Sequence, residues 1–333
     1  MKHTIWFLFL ILMISCKKER PHKSFFQGQA FGTTFSIQVY SINEIEFEKG
    51  IDSVLSKVNN SVSTYIPESD ISKINNGNTA IIVDDVFIDN FNISAEVYEN
   101  TGGFFDPTIG VLRNAYGFGD ANSLKEIDSL ALDSMMKFVG FNKVKLTSEN
   151  KIEKLYPEIY IDFNAVAKGY GIDLIGSYLD SKGVNNYLIE LGGEILAKGK
   201  NVEKNKSWLV GIENVNLNDK SFSSIIALED IAMATSGNYR KFRIDSLTGK
   251  KYVHTLNPIT GSASKSDITS ATVLASTCAL ADAYATAFMA LGLENSKVIL
   301  KNIDKIDVYF TYNDQNNEEQ VFATEGLIKR LVN

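Results

Sequence analysis

Glu158-Ile-Tyr-Ile-Asp-Phe-Asn-Ala-Val-Ala-Lys-Gly-Tyr-Gly-Ile-Asp173 holds two periodicities back to back. Glu158 to Ile161 is a short apolar run of strand type. Val166, Tyr170, Leu174 and Tyr178, with Ile175 and Leu179, then recur at helical spacing until Lys182-Gly183. The pattern predicts a buried strand that turns directly into a helix. Such a junction brings the Asp162 carboxylate and the open start of a helix to one place. Unpaired N–H groups and a partial positive charge at that start suit a phosphate, and Lys168 adds a full charge nearby. The same residues also fit an ordinary strand–helix junction with Asn164 as N-cap.

Outward from this stretch, both kinds of element continue. Gln27 to Tyr40 alternates as an opening strand or hairpin, and Phe47–Val58 and Phe87–Asn100 read as helices with one apolar face. Thr101-Gly-Gly-Phe-Phe-Asp-Pro-Thr-Ile-Gly110 and Tyr116-Gly-Phe-Gly119 are glycine- and aromatic-rich loops whose backbone can approach a ligand. After the central helix, Asn186–Leu196 runs through a Gly-Gly turn. Trp208–Glu213, Ser224–Leu228, the run from Ile231 and Thr269–Ala275 are strand-like, Ala279–Leu291 is a small-residue helix, and Lys305–Tyr312 is a late strand. The mixture predicts the α+β class, with mixed sheets and packed helices.

Composition is that of a globular protein, with 44% hydrophobic and 22% charged residues, and the net charge of −7 argues against a general nucleic-acid binder. Residues 1–16 have the form of an export signal: Lys2 and His3 precede the apolar run Ile5–Met13, which is too short for a permanent span. Met13-Ile-Ser-Cys16 resembles a bacterial lipobox, so Cys16 is the expected lipidation site. Residues 17–24 read as a polar tether and residues 25–333 as the functional domain. The expected location is a membrane-anchored, periplasm-facing lipoprotein. Cys278, the other cysteine, lies among apolar residues and reads as buried, and no CxxC or HxxxH spacing points to zinc or dithiol chemistry. No spacing matches a Walker loop or a dinucleotide GxGxxG.

Several side chains carry possible chemistry. Asp282 and Thr286 lie one helical turn apart on one face, a carboxylate and a hydroxyl that can hold Mg²⁺ or serve as a cap and a back-bonded threonine. His254 precedes an Asn-Pro-x-Thr-Gly turn, where a neutral imidazole can act as general base or be a structural histidine. Asp106 fits either a ligand contact or a cap for the turn at Pro107. Thr235-Ser-Gly-Asn238 and Gly192-Gly193 fit a cradle for a phosphate or a ring, or plain turns.

Taken in order, nine short motifs add up. They are Phe31-Gly-Thr33, Ser63-Thr-Tyr65, Gly102-Gly-Phe-Phe-Asp-Pro-Thr108, Gly117-Phe-Gly119, Asp162-x-x-Ala-x-Ala-Lys-Gly169, Gly192-Gly-Glu194, Ala234-Thr-Ser-Gly237, His254-x-x-Asn-Pro-x-Thr-Gly261 and Ala281-Asp-Ala-x-Ala-Thr286. This series resembles that of the ApbE family of FAD:protein FMN transferases, from about Gly28 onward. The resemblance implies that Asp282 and Thr286 are Mg²⁺ ligands with the backbone carbonyl of Ala165. It implies that Phe31, Tyr65, Phe105, Asp106, Pro107, Asp162, Lys168 and Ser264 line the FAD site, and that His254 is the base. The implied reaction attaches FMN through a phosphoester to a threonine or serine hydroxyl of an acceptor flavoprotein and releases AMP. A Mg²⁺-dependent FAD pyrophosphatase and a non-catalytic FAD-binding lipoprotein are the rival readings. Two positions depart from the family pattern: Phe31 stands where methionine is usual, and Asn257 where many members have aspartate.

Overall fold

The computed structural model describes residues 21–119, 124, 127–213, 222–238, 242–244, 251–253, 255–263 and 266–332. Its main sheet has eight antiparallel strands, His22–Ala30, Thr33–Ser41, Asn186–Leu191, Glu194–Lys198, Ile231–Gly237, Ile268–Ala275, Asp307–Asn313 and Glu319–Ala323, and each lies beside its neighbour in the sequence. Among the described residues, all helices but the short Glu325–Ile328, which follows the last of these strands, are insertions in this meander. Six, from Phe47–Val62 to Ala167–Ser181, lie between the second and third strands, and Cys278–Leu291 and Leu293–Leu300 lie between the sixth and seventh. The α+β expectation is borne out.

Both faces of the sheet are covered. Ala232 and Ala234 belong to the helical side, whereas Met233 between them joins Leu274 and Tyr309 against a small sheet of Trp208–Glu213, Phe222–Leu228 and Leu331–Val332. Ile268–Ala275 is therefore buried at every position. Its two threonine hydroxyls are satisfied across the ladder, Thr272 with Thr235 at 2.9 Å and Thr269 with Thr311 at 2.8 Å.

Three local expectations need correction. The strand at Glu158–Ile161 reduces to one parallel bridge between Tyr160 and Ile109. Ile161 instead exchanges both backbone hydrogen bonds with the Asn75 side-chain amide, at 2.8 Å each, so a side chain replaces the neighbouring strand. The helix begins at Ala167 after Val166, and Asn164 is not its cap: the Asn164 N–H donates to Asp162 and its amide to Thr64. The first strand begins at His22, paired with Ser41, so the last three residues of the expected tether belong to the sheet. Cys16 and the signal segment lie outside the described residues. Among the described residues, no helix is long and apolar enough to cross a membrane.

The Cys278–Leu291 helix is the spine of the helical layer. Ala279, Ala281, Ala283, Ala285 and Ala287 are fully buried, and their small side chains allow close approach of the sheet on one side and the Ala167–Ser181 helix on the other. Closest is Gly169, where an added Cβ would stand 2.3 Å from the Cys278 carbonyl oxygen and 2.8 Å from the Ala279 nitrogen. Both are backbone atoms in a packed core and have little room to yield. Gly169→Ala is expected to lower unfolding free energy by about 2–3 kcal/mol, because overpacking outweighs the gain in helix propensity. Urea denaturation checks this, and an unchanged midpoint would show that the helices slide apart freely.

Candidate active site

The two helices that meet at Gly169 also cap each other. Asp173, on the first, accepts from the Cys278 and Ala279 N–H groups at 2.8 and 2.9 Å. Asp282, on the second, accepts from the Gly169 N–H at 3.3 Å. Each carboxylate sits where free N–H groups and the positive end of a helix favour negative charge. This crossing sets Asp282, and Thr286 one turn on, at the floor of a cavity of about 340 Å³. Thr286 reaches the Ser236 hydroxyl at 3.4 Å, so the Thr235-Ser-Gly237 strand end lies on the same floor.

Lys168 stands between two carboxylates. Its ammonium forms an ion pair with Glu194, which follows the Gly192-Gly193 turn, and it also feels the charge of Asp282. Burial works against the Lys168 charge, but the two carboxylates reverse the effect and hold it protonated. Glu194 and Asp282 are both pushed up by burial, an effect that Lys168 only partly offsets. The second Glu194 oxygen is buried without a hydrogen-bond partner. The Asp282 carboxylate and the Thr286 hydroxyl, with the unsatisfied Glu194 oxygen nearby, are hard oxygen donors of the kind that fits a divalent cation.

The opposite wall comes from the Thr101–Gly110 loop. Asp106 is buried and knits this loop together: one oxygen accepts from the Thr108 N–H and hydroxyl at 2.7 and 2.6 Å, the other from the Phe141 N–H at 3.2 Å. Burial nevertheless lifts its carboxyl to about 6, the hydrogen bonds opposing the shift. Of the two roles open to Asp106 in the sequence, the turn cap is visible here, while Phe105 and Pro107 face the cavity beside it. Asp162 joins loop to floor, its N–H donating to the Pro107 carbonyl at 2.7 Å.

The cavity brings together Tyr65, Phe105, Asp106, Pro107, Asp162, Ala165, Lys168, Asp282 and Thr286 from the sequence-derived set. Phe31 is not on its wall. At φ +51° it turns the opening hairpin, and its ring lies over Gly171 of the central helix. His254 and Ser264 lie outside the described residues; Thr255, Leu256 and Pro258, just after His254, line the cavity. Two charged residues escaped the sequence reading. The Gly-Gly-Glu motif already contained Glu194, but only the fold shows its lysine partner. Arg113 had no local signal: its guanidinium pairs with Asp162 and donates to the Tyr65 hydroxyl. A larger cleft, about 550 Å³, is bounded by the 43–46 loop, Lys49, Tyr178 and Lys182. It holds no buried charged side chain and shares no residue with this site.

A ligand-sized cavity with a half-buried lysine paired to a carboxylate on its floor and an aromatic wall fits a ring-bearing ligand. The ApbE family model matches residues 31–310, and the chain belongs to the ApbE family. It is 33% identical over 300 residues to the FAD:protein FMN transferase of Vibrio cholerae, covering 87% of each chain. It is 30% identical over 317 residues to that of Haemophilus influenzae, covering 91% of this chain and 90% of the relative. The solved flavin transferase ApbE from Vibrio cholerae superimposes with a TM-score of 0.82 at 29% identity, over 93% of this chain and 100% of that one. The family resemblance read from the nine motifs is borne out.

Asp173 provides a pH test of the helix crossing. Burial raises its carboxyl to about 6, despite the two backbone hydrogen bonds, against about 3.9 in an unfolded chain. Between about pH 4 and 6 the folded state retains a proton that the unfolded state has lost, so this group's contribution falls as pH rises through that window. The stability of the unaltered protein minus that of Asp173→Asn is expected to drop by roughly 2–3 kcal/mol from about pH 4 to pH 6.5. Urea titrations across that range check it. A difference that stayed flat or rose would mean that the capping bonds outweigh burial.

Proposed function

We propose that this chain is an FAD:protein FMN transferase that attaches the FMN moiety of FAD to a threonine or serine hydroxyl of a partner flavoprotein and releases AMP. One observation carries the reading: the Lys168–Glu194–Asp282 cluster, with both carboxylates buried and Thr286 beside Asp282, forms the floor of a cavity walled by Tyr65 and the Phe105–Pro107 loop. Membership of a family whose relatives bear that activity supports it.

Lys168 would meet a diphosphate oxygen, and the positive end of its helix favours the same charge. Asp282, Thr286 and the Ala165 carbonyl would hold Mg²⁺, which when bound neutralises diphosphate charge and makes AMP a better leaving group. The Phe105–Pro107 loop and Tyr65 give the rings apolar surface and keep water away from the phosphorus. The acceptor hydroxyl attacks the phosphorus on the FMN side, a P–O bond forms, and the P–O bond to AMP breaks. His254, the residue that the family motif makes the base, takes the hydroxyl proton. Export and lipidation at Cys16 fit this activity, since a covalent bond prevents loss of flavin outside the cytoplasm.

The test incubates residues 21–333 with FAD, Mg²⁺ and a periplasmic flavoprotein acceptor, followed by denaturing electrophoresis read by flavin fluorescence. Metal-dependent fluorescence on the acceptor is expected. In Asp282→Ala it should fall at least about 100-fold, in line with the loss of a group that organises transition-state charge. FMN and AMP without labelled acceptor would favour the pyrophosphatase. Tight FAD binding with neither product, on two acceptors, would leave a flavin carrier.

A further inference from the structure

Tyr65 is an anomaly of the site. It is 59% exposed, yet its hydroxyl is tied at 2.5 Å to a guanidinium whose side chain is only 17% exposed. That guanidinium, Arg113, uses its other terminal nitrogen on Asp162, and its central carbon lies 5.8 Å from the Tyr65 ring centroid. Asp162 is itself fixed, its second oxygen accepting from the Asn164 N–H at 2.8 Å and its own N–H bound to Pro107. A chain of contacts thus runs from the buried backbone around Asp162 through Arg113 to an exposed aromatic ring at the cavity mouth. Burial opposes the Arg113 charge, but Asp162 and Tyr65 more than restore it.

A tyrosine standing in water ordinarily samples several rotamers, and a ligand that stacks on it must order it. Here the ring is ordered beforehand by a planar donor fork, which holds its two partners in a fixed relative geometry that a freely rotating ammonium does not impose. Arg113 also offsets the Asp162 charge, so this wall does not repel a polyanion. We propose that Arg113 is a positioning residue, holding the Tyr65 ring as a fixed platform on which a planar heteroaromatic ring of the bound dinucleotide stacks. The inference rests on the transferase reading for its ligand.

The test titrates FAD, FMN and ADP by calorimetry into the unaltered protein, Arg113→Lys, Tyr65→Phe and the double variant, and measures kcat and KM for FAD. Lysine keeps a positive charge beside Asp162 but loses the fork, and phenylalanine keeps the ring but loses the hydroxyl. Arg113→Lys is expected to weaken FAD binding about tenfold and raise KM equally, with kcat changed less than about threefold. Tyr65→Phe should weaken binding by roughly threefold to tenfold, and the double variant should be no weaker than Arg113→Lys, because both cut one contact. Whichever of FMN or ADP shares the loss identifies the stacking ring; a loss shared by neither overturns the platform. Full affinity in Arg113→Lys, or fully additive losses, would also overturn it. Tyr65→Phe alters an exposed hydroxyl and so keeps the test decisive should Arg113→Lys fail to fold. An unaltered protein that binds no FAD would sink the transferase reading itself, whereas FAD binding that both substitutions leave intact sinks only the platform.

Discussion

Two helix starts cross at a glycine, and each is held by a carboxylate from the other. Asp173 ties down the start of Cys278–Leu291, and Asp282 receives the Gly169 N–H at the start of Ala167–Ser181. The arrangement fixes more than an angle. Lys168 precedes the crossing residue, and Asp282 and Thr286 follow on the partner helix, so the charges of the site are placed by the same contact that packs the helices. A shift of the first helix along its axis would move the lysine relative to both carboxylates, and a shift of the second would move Asp282 away from it. Small residues on the second helix serve the same end, since bulkier ones would hold the backbones apart.

The helices of this site were readable because each carries its own period. The pairing of Asp282 with Thr286 follows from four-residue spacing alone. What sequence reading could not supply is whatever depends on a distant partner. Ile161 looks like strand because it is apolar and needs two backbone hydrogen bonds; Asn75, in a helix 86 positions earlier, provides both. Arg113 looks like a surface residue of a short helix until Asp162, 49 positions on, is folded against it. Asp106 fits a ligand contact or a turn cap equally well in the sequence; the fold decides for the cap, with its oxygens taken by donors from Thr108 and from Phe141 on a separate segment. Phe31 stands at a motif position where methionine is usual, and the left-handed turn sends its ring onto Gly171 instead of into the cavity. Local pattern determines element type, while side-chain partners are a property of the closed fold.

The charges at the cavity floor do not serve stability. Lys168, Glu194 and Asp282 are all largely removed from water, and every such group carries a desolvation penalty that one ammonium cannot offset for two carboxylates. The raised carboxyl groups express that deficit, and the orphaned Glu194 oxygen marks where it is most acute. An apolar trio of similar volume would pack this junction more cheaply, since the Cys278–Leu291 helix is otherwise almost wholly alanine and aromatic on its buried faces. An arrangement that is costly in the free protein and short of positive charge is stabilised by whatever cation binds it, by mass action on the folded state. The cluster therefore makes physical sense as a binding floor: its surplus of negative charge is of the sign that a bound cation offsets, and offsetting it would lessen the repulsion that the bare carboxylates exert on an anionic substrate.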